Sequence, residues 1–153
     1  MMSSNVVQLP GGPHWRVLVA HRRADVRHVL RTLVEADHVA IVEAADGDAA
    51  FEQLERARYD LLVLELDLPG KDGVTLMQLH RVLLMHERIL VPPPSIVFTL
   101  PPEVRGNATL TDHLRSLGAD ACIDDDPRSD AAAIIESLLQ ARAAAAIEKP
   151  NVA

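Results

Sequence analysis

Tyr59-Asp-Leu-Leu-Val-Leu-Glu-Leu-Asp-Leu-Pro-Gly-Lys-Asp-Gly73 is the stretch on which the fold turns. Leu61 to Leu64 is an apolar run without alternation. A strand covered on both faces reads this way, because helices on each side of a parallel sheet leave neither face to water. An acid, Glu65, closes the run. Pro69-Gly-Lys-Asp-Gly73 then makes a turn in which Gly70 and Gly73 are placed to take positive φ. The spacing beyond it predicts a helix from about Val74 to Glu87, burying Met77, Leu83 and Leu84.

The same alternation extends in both directions. Upstream, Arg16 to Ala20 and Val39 to Val42 are two more short apolar runs. Between them, Val26, Val29, Leu30, Leu33 and Val34 recur at helical spacing over residues 24–36. Asp46-Gly-Asp48 opens a second helical stretch carrying Ala50, Phe51 and Leu54, and Asp46 or Asp48 is placed to cap its first turn. Downstream, Pro92-Pro-Pro94 stops any helix and leads into Ser95 to Thr99, a fourth strand. Pro101 and Pro102 begin a loop to Asn107. Residues 108–117 read as a helix closed by Gly118. Ala119 to Ile123 is a fifth strand, and a last helix runs from about Ser129 to Ile147 with Ile134, Ile135, Leu138 and Leu139 facing inward. Five strands alternating with five helices imply an α/β, doubly wound, five-stranded parallel sheet with right-handed crossovers. Its functional crevice is expected at the carboxyl ends of the strands. The expected organisation is a flexible lead-in over residues 1–14, one domain over 15–147, and a tail over 148–153.

Composition narrows the function. Apolar residues make up 48% and charged residues 24%, enough apolar content for a full core. The formal net charge is 15 − 22 = −7. Nucleic acid is therefore not expected as a direct partner, because a phosphate backbone must be met by clustered Lys and Arg. Asp25 interrupts the one basic run, Arg22, Arg23 and Arg27, which reads as a solvated helix start. A single cysteine, Cys122, excludes a disulfide within the chain and reads as a buried small hydrophobe. No secretion signal and no apolar run near the ~20 residues that span a bilayer is visible, so a cytoplasmic location without membrane contact is expected. The seven histidines show no tight spacing with Cys or Asp, so no zinc site is expected.

Three stretches together resemble the receiver domains of two-component response regulators: Tyr59 to Gly73, Val42-Glu-Ala-Ala-Asp-Gly-Asp-Ala-Ala50, and Leu117-Gly-Ala-Asp-Ala-Cys-Ile123. With Arg16 to Arg27 and Ile96 to Thr99, the resemblance covers about residues 15–146. It implies a flavodoxin-like sheet of strand order 2-1-3-4-5. It also implies a phosphorylation pocket. Two acids after the first strand hold magnesium, and an aspartate ending the third strand takes the phosphoryl group. A Thr or Ser ends the fourth strand, and a Lys followed by Pro ends the fifth.

Most of those positions are altered. The acid pair falls on His21 and Arg22, or on Arg22 and Arg23 one residue later. The phosphoacceptor position falls on Glu65. The lysine position falls on Asp125, or on Asp124 or Asp126 with a small slip. The aromatic of the family's switch falls on Cys122, and Thr99 alone is kept. Asp67 stands where the family uses only a backbone carbonyl. Magnesium prefers oxygen ligands, so His and Arg in place of two carboxylates predict that this pocket does not bind magnesium; no cofactor is expected. Glu65 is expected to pair with Arg22 or Arg23, and Asp124 or Asp125 with His21, closing the crevice with internal ion pairs. His21 otherwise reads as a loop histidine.

The expected role is non-enzymatic. It is an atypical pseudo-receiver that binds protein partners, or a second copy of itself, through the fourth helix, fifth strand and fifth helix (residues 108–146). The alanine-rich last helix favours close helix–helix approach. No output segment is visible within these residues, so the signal is expected to pass through a partner. Two other classes stay open: a phosphorelay receiver using a non-standard acid, Glu65 or Asp67, and a sensor of anions or small ligands at His21-Arg-Arg-Ala24.

Overall fold

The computed structural model describes residues 15–35, 38–87, 92–125 and 131–148. The expected lead-in over 1–14, Asp126, and residues 149–153 of the expected tail lie outside the described residues. The elements follow in strict alternation: β1 Trp15–Ala20, α1 Ala24–Val34, β2 Val39–Ala44, α2 Gly47–Arg56, β3 Leu61–Glu65, α3 Gly73–His86, β4 Ser95–Leu100, α4 Ala108–Leu117, β5 Ala121–Asp124 and α5 Ala131–Glu148. A short 3-10 turn, Pro102–Val104, sits between β4 and α4. The five strands form one sheet in the order β2-β1-β3-β4-β5, and every pairing is parallel. The predicted fold class and strand order are therefore found.

Two apolar layers hold the sheet, one on each face. Val17, Val19, Leu61, Val63, Val97 and Ile123 pack on one side with Val26, Leu30 and Ile135 from α1 and α5. Leu18, Leu62, Leu64, Ile96 and Phe98 pack on the other with Leu54, Leu76, Met77 and Leu114 from α2, α3 and α4. Each such side chain taken fully from water contributes about 1.5–3 kcal/mol before the entropy of ordering is counted. The helix starts are capped by side chains. Asp46 accepts from Ala49 N, Asp72 from Thr75 N and Asn107 from Leu110 N. Of the two candidates for the α2 cap, Asp46 serves, while Asp48 turns outward to pair with Lys71.

Three expectations need correction. Gly70 has positive φ (87°), but Gly73 does not. Gly73 is required for space instead: a Cβ there would lie 2.7 Å from Glu65 O and 2.7 Å from the Phe98 ring. On α3, Met77 is buried as expected, whereas Leu83 and Leu84 are only half-buried and His80 takes an inner position. Cys122 is half-buried, packed at the margin of the α2–α4 layer, and burial pushes its thiol pKa up, with Arg115 opposing.

The period-2 alternation also places the site. Residues of the α1/α5 side occupy odd positions in β1, β3, β4 and β5. His21, Glu65, Thr99 and Asp125 continue that parity at the carboxyl ends. Ala20 pairs with Leu64 and Glu65 with Thr99, so the next step of the register sets His21 beside Glu65.

Candidate functional site

Four polar or charged side chains are buried in the described residues, and three of them lie in this row: His21 (0% exposed), Glu65 (6%) and Thr99 (1%). A buried carboxylate must be met by donors. Glu65 is met by Arg22. The Arg22 backbone N–H donates to Glu65 Oε1 at 2.8 Å, and the guanidinium Nε donates to Oε2 at 2.9 Å. The far nitrogen of the same guanidinium, Nη2, donates to the backbone carbonyl of Asp67. Arg22 itself is half-exposed. One guanidinium thus bridges the acid that ends β3 and the carbonyl two residues beyond it.

His21, read from the sequence as a loop histidine, is enclosed and bonded on both nitrogens. Nε2 lies 3.0 Å from Asp125 Oδ1. The Arg23 backbone N–H donates to Nδ1 at 3.0 Å. An N–H directed at Nδ1 makes that nitrogen an acceptor, which assigns the ring proton to Nε2 and the donated bond to Asp125. Glu65 Oε1 is 3.9 Å from Nδ1.

These contacts resolve the alternatives left by the sequence. Arg23 does not reach Glu65; it pairs with Asp25 on the surface at 2.8 Å, and that bond raises the guanidinium's pKa and lowers the carboxyl's. Asp124 pairs with Arg105 at 3.3 Å, so Asp125 is the partner of His21. Asp67 turns its side chain to solvent and contributes only its carbonyl. Thr99 Oγ1 is buried with no hydrogen-bond partner among the described residues.

Spacing along the chain hid one grouping. His21, Glu65 and Asp125 each present a ligand atom, and these atoms lie within 4.8 Å of one another. His21 and Asp125 are 104 positions apart, so only the parallel sheet brings them together. Magnesium, which takes oxygen ligands in near-octahedral geometry, does not fit this donor set. An imidazole and a guanidinium follow β1, and the guanidinium already holds Glu65 and the Asp67 carbonyl.

A family model for the response regulator receiver domain matches residues 17–99. The chain belongs to the response regulator receiver domain family. Over 59 residues it is 41% identical to the transcriptional regulatory protein ResD of Bacillus subtilis (strain 168), covering 39% of this chain and 25% of that protein. Over 68 residues it is 34% identical to protein-glutamate methylesterase/protein-glutamine glutaminase 3 of Rhodopseudomonas palustris (strain BisB18), covering 43% of this chain and 19% of that one. The chain spans 10–25% of the length of the curated relatives it matches. Among solved structures, the REC domain of AraT, a response regulator from Geobacillus stearothermophilus, superposes with a TM-score of 0.68 at 23% identity, covering 88% of this chain and 98% of that one. The Francisella response regulator 1452 receiver domain gives 0.61 at 20% identity, covering 83% and 93%. At those identities the likeness speaks for the fold. No helix among the described residues is long and apolar enough to cross a membrane.

Proposed function

We propose that this chain is an atypical receiver domain that acts without aspartyl phosphorylation, as a phosphorylation-independent signalling adaptor in the cytoplasm. One observation carries this: the Arg22 guanidinium bridges Glu65 and the Asp67 carbonyl. By the family resemblance, those are the strand-end acid and the carbonyl that a magnesium ion would hold. Two further features support it. His21 stands at the other metal-binding position, and Asp125 stands at the lysine position, where it adds negative charge instead of neutralising a phosphoryl group. Forming an acyl phosphate on Glu65 would mean bringing an anion to a buried carboxylate with neither cation in place.

The role is then binding rather than catalysis. The face formed by α4, β5 and α5, residues 108–146, is the proposed contact surface for a protein partner or a second copy. Ala132, Ala133, Ala141, Ala144 and Ala145 are exposed or nearly so along α5, and small side chains let helix axes approach closely. Incubation with acetyl phosphate and Mg2+, followed by intact-mass measurement, tests the central claim. No mass gain is expected; an adduct on Glu65 or Asp67 overturns it. Light scattering after size exclusion tests the self-association, which a strict monomer at high concentration would remove.

A further inference from the structure

We infer that His21, Glu65 and Asp125 form a binding site for a borderline first-row divalent metal ion of the Zn2+ type. The inference rests on the proposal that the crevice no longer serves magnesium and a phosphoryl group. One ligand atom from each residue lies within 4.8 Å of the others. The three come from the segment after β1, the end of β3 and the segment after β5, so the sheet itself sets their spacing. An imidazole with two carboxylates is a donor set that Zn2+ and Co2+ accept, whereas an all-oxygen shell is what magnesium requires.

The Arg22 guanidinium beside Glu65 opposes a nearby cation, yet two features of the surroundings leave room for an ion that takes nitrogen and oxygen donors. Arg22 holds Glu65 through Oε2 and Oε1, and an ionised carboxylate offers about four lone-pair directions, so acceptor capacity remains on Oε1. The second feature is Thr99. Its hydroxyl is buried in the same row and has no partner among the described residues. A buried polar atom left this way calls for a water or ion. Three protein ligands leave a tetrahedral ion with a fourth position for a water or anion.

Metal uptake has a defined consequence for the imidazole. Coordination through Nε2 sends the ring proton to Nδ1 and releases the Nε2 bond to Asp125 Oδ1, which becomes a ligand. The Arg23 N–H, now aimed at Nδ1, must then turn to solvent. The proton moves within the ring and none is lost from it.

The test is titration of the metal-free full chain with Zn2+, followed by Co2+ as a spectroscopic stand-in. One site per chain is expected, with Co2+ visible absorption that Mg2+ does not displace. Loss of a neighbouring group typically weakens a metal ~10–100-fold; Asp125→Asn and His21→Gln are expected to weaken binding at least that much. His113→Gln, at an exposed position on α4, should leave it unchanged. Asp125→Asn is isosteric, and circular dichroism confirms that it is folded. In 15N spectra, the Arg23 amide and the His21 ring should shift on metal addition. Equal affinity in Asp125→Asn and the unaltered chain, loss only in His113→Gln, or no uptake overturns the site. None of these outcomes touches the acetyl phosphate result, which alone decides whether the domain is phosphorylated.

Discussion

The two ends of the sheet use carboxylates in opposite ways. At the amino end, Asp60 Oδ2 accepts the Arg16 backbone N–H at 2.9 Å, and Asp120 Oδ2 accepts the Ile96 N–H at 2.8 Å. The same residues return the bond through their own N–H groups, Asp60 to Arg16 O and Asp120 to Ile96 O, both at 2.8 Å. These acids extend the ladder, and Asp60 Oδ1 also lies 3.6 Å from Arg142 Nη2. At the carboxyl end, Asp125 is met by the His21 side chain, and Glu65 is met by both the guanidinium and the backbone N–H of Arg22. Backbone partners are fixed by the fold, whereas side-chain partners can exchange for others. An acid at one end is architecture; at the other it is a site.

The sharpest way to break that comparison is at Arg22. Arg22→Leu leaves Glu65 buried with only one backbone donor, and a loss of about 2–3 kcal/mol is expected by urea denaturation, near the upper range for a charge-assisted bond. The double variant Arg22→Leu/Glu65→Leu should recover most of it, because removing both partners leaves no unpaired charge. Failure of the double variant to recover would mean that Glu65 has other essential partners. At the amino end, Asp120→Ala should cost about 1–2 kcal/mol, and Asp120→Asn, which keeps an acceptor oxygen, less.

A pH-dependent difference comes next, at a buried group that belongs to neither end. Burial lowers the His80 pKa, with Glu87 opposing. The unfolded chain therefore binds a proton near ~6.5 that the folded chain resists. Stability contributed by neutral His80 is present above that pH and is lost as pH falls through it. Replacing it with His80→Leu should flatten the acid side of the stability profile, measured as melting temperature against pH. The smallest effect is expected at Thr99. With its hydroxyl unpartnered, Thr99→Val should change metal-free stability by less than about 1 kcal/mol, in either direction.

The fold was legible because covered parallel strands read as short apolar runs. Of the caps, the sequence pointed only to Asp46 or Asp48, and Asp46 serves, whereas the caps supplied by Asp72 and Asn107 emerge from the structure. The crevice was half legible. Pairing of Glu65 and of His21 was foreseeable from charge, since a buried acid needs a donor. Which arginine and which aspartate were not, because local competitors decided them: Asp25 takes Arg23, and Arg105 takes Asp124. The joint placement of His21, Glu65 and Asp125 depends on strand register, which no local spacing encodes. Gly73 looked like a turn glycine, yet what it supplies is room beside the Phe98 ring and the Glu65 carbonyl.

The guanidinium that spans Glu65 and Asp67 also carries a consequence for timing. A phosphorylated domain has a built-in clock, because hydrolysis ends its active period. A crevice fastened by one of its own side chains has no such decay. On the proposed function, how long this domain engages a partner is set by the abundance of both molecules and by mass action, and turning it off requires dilution, competition or degradation.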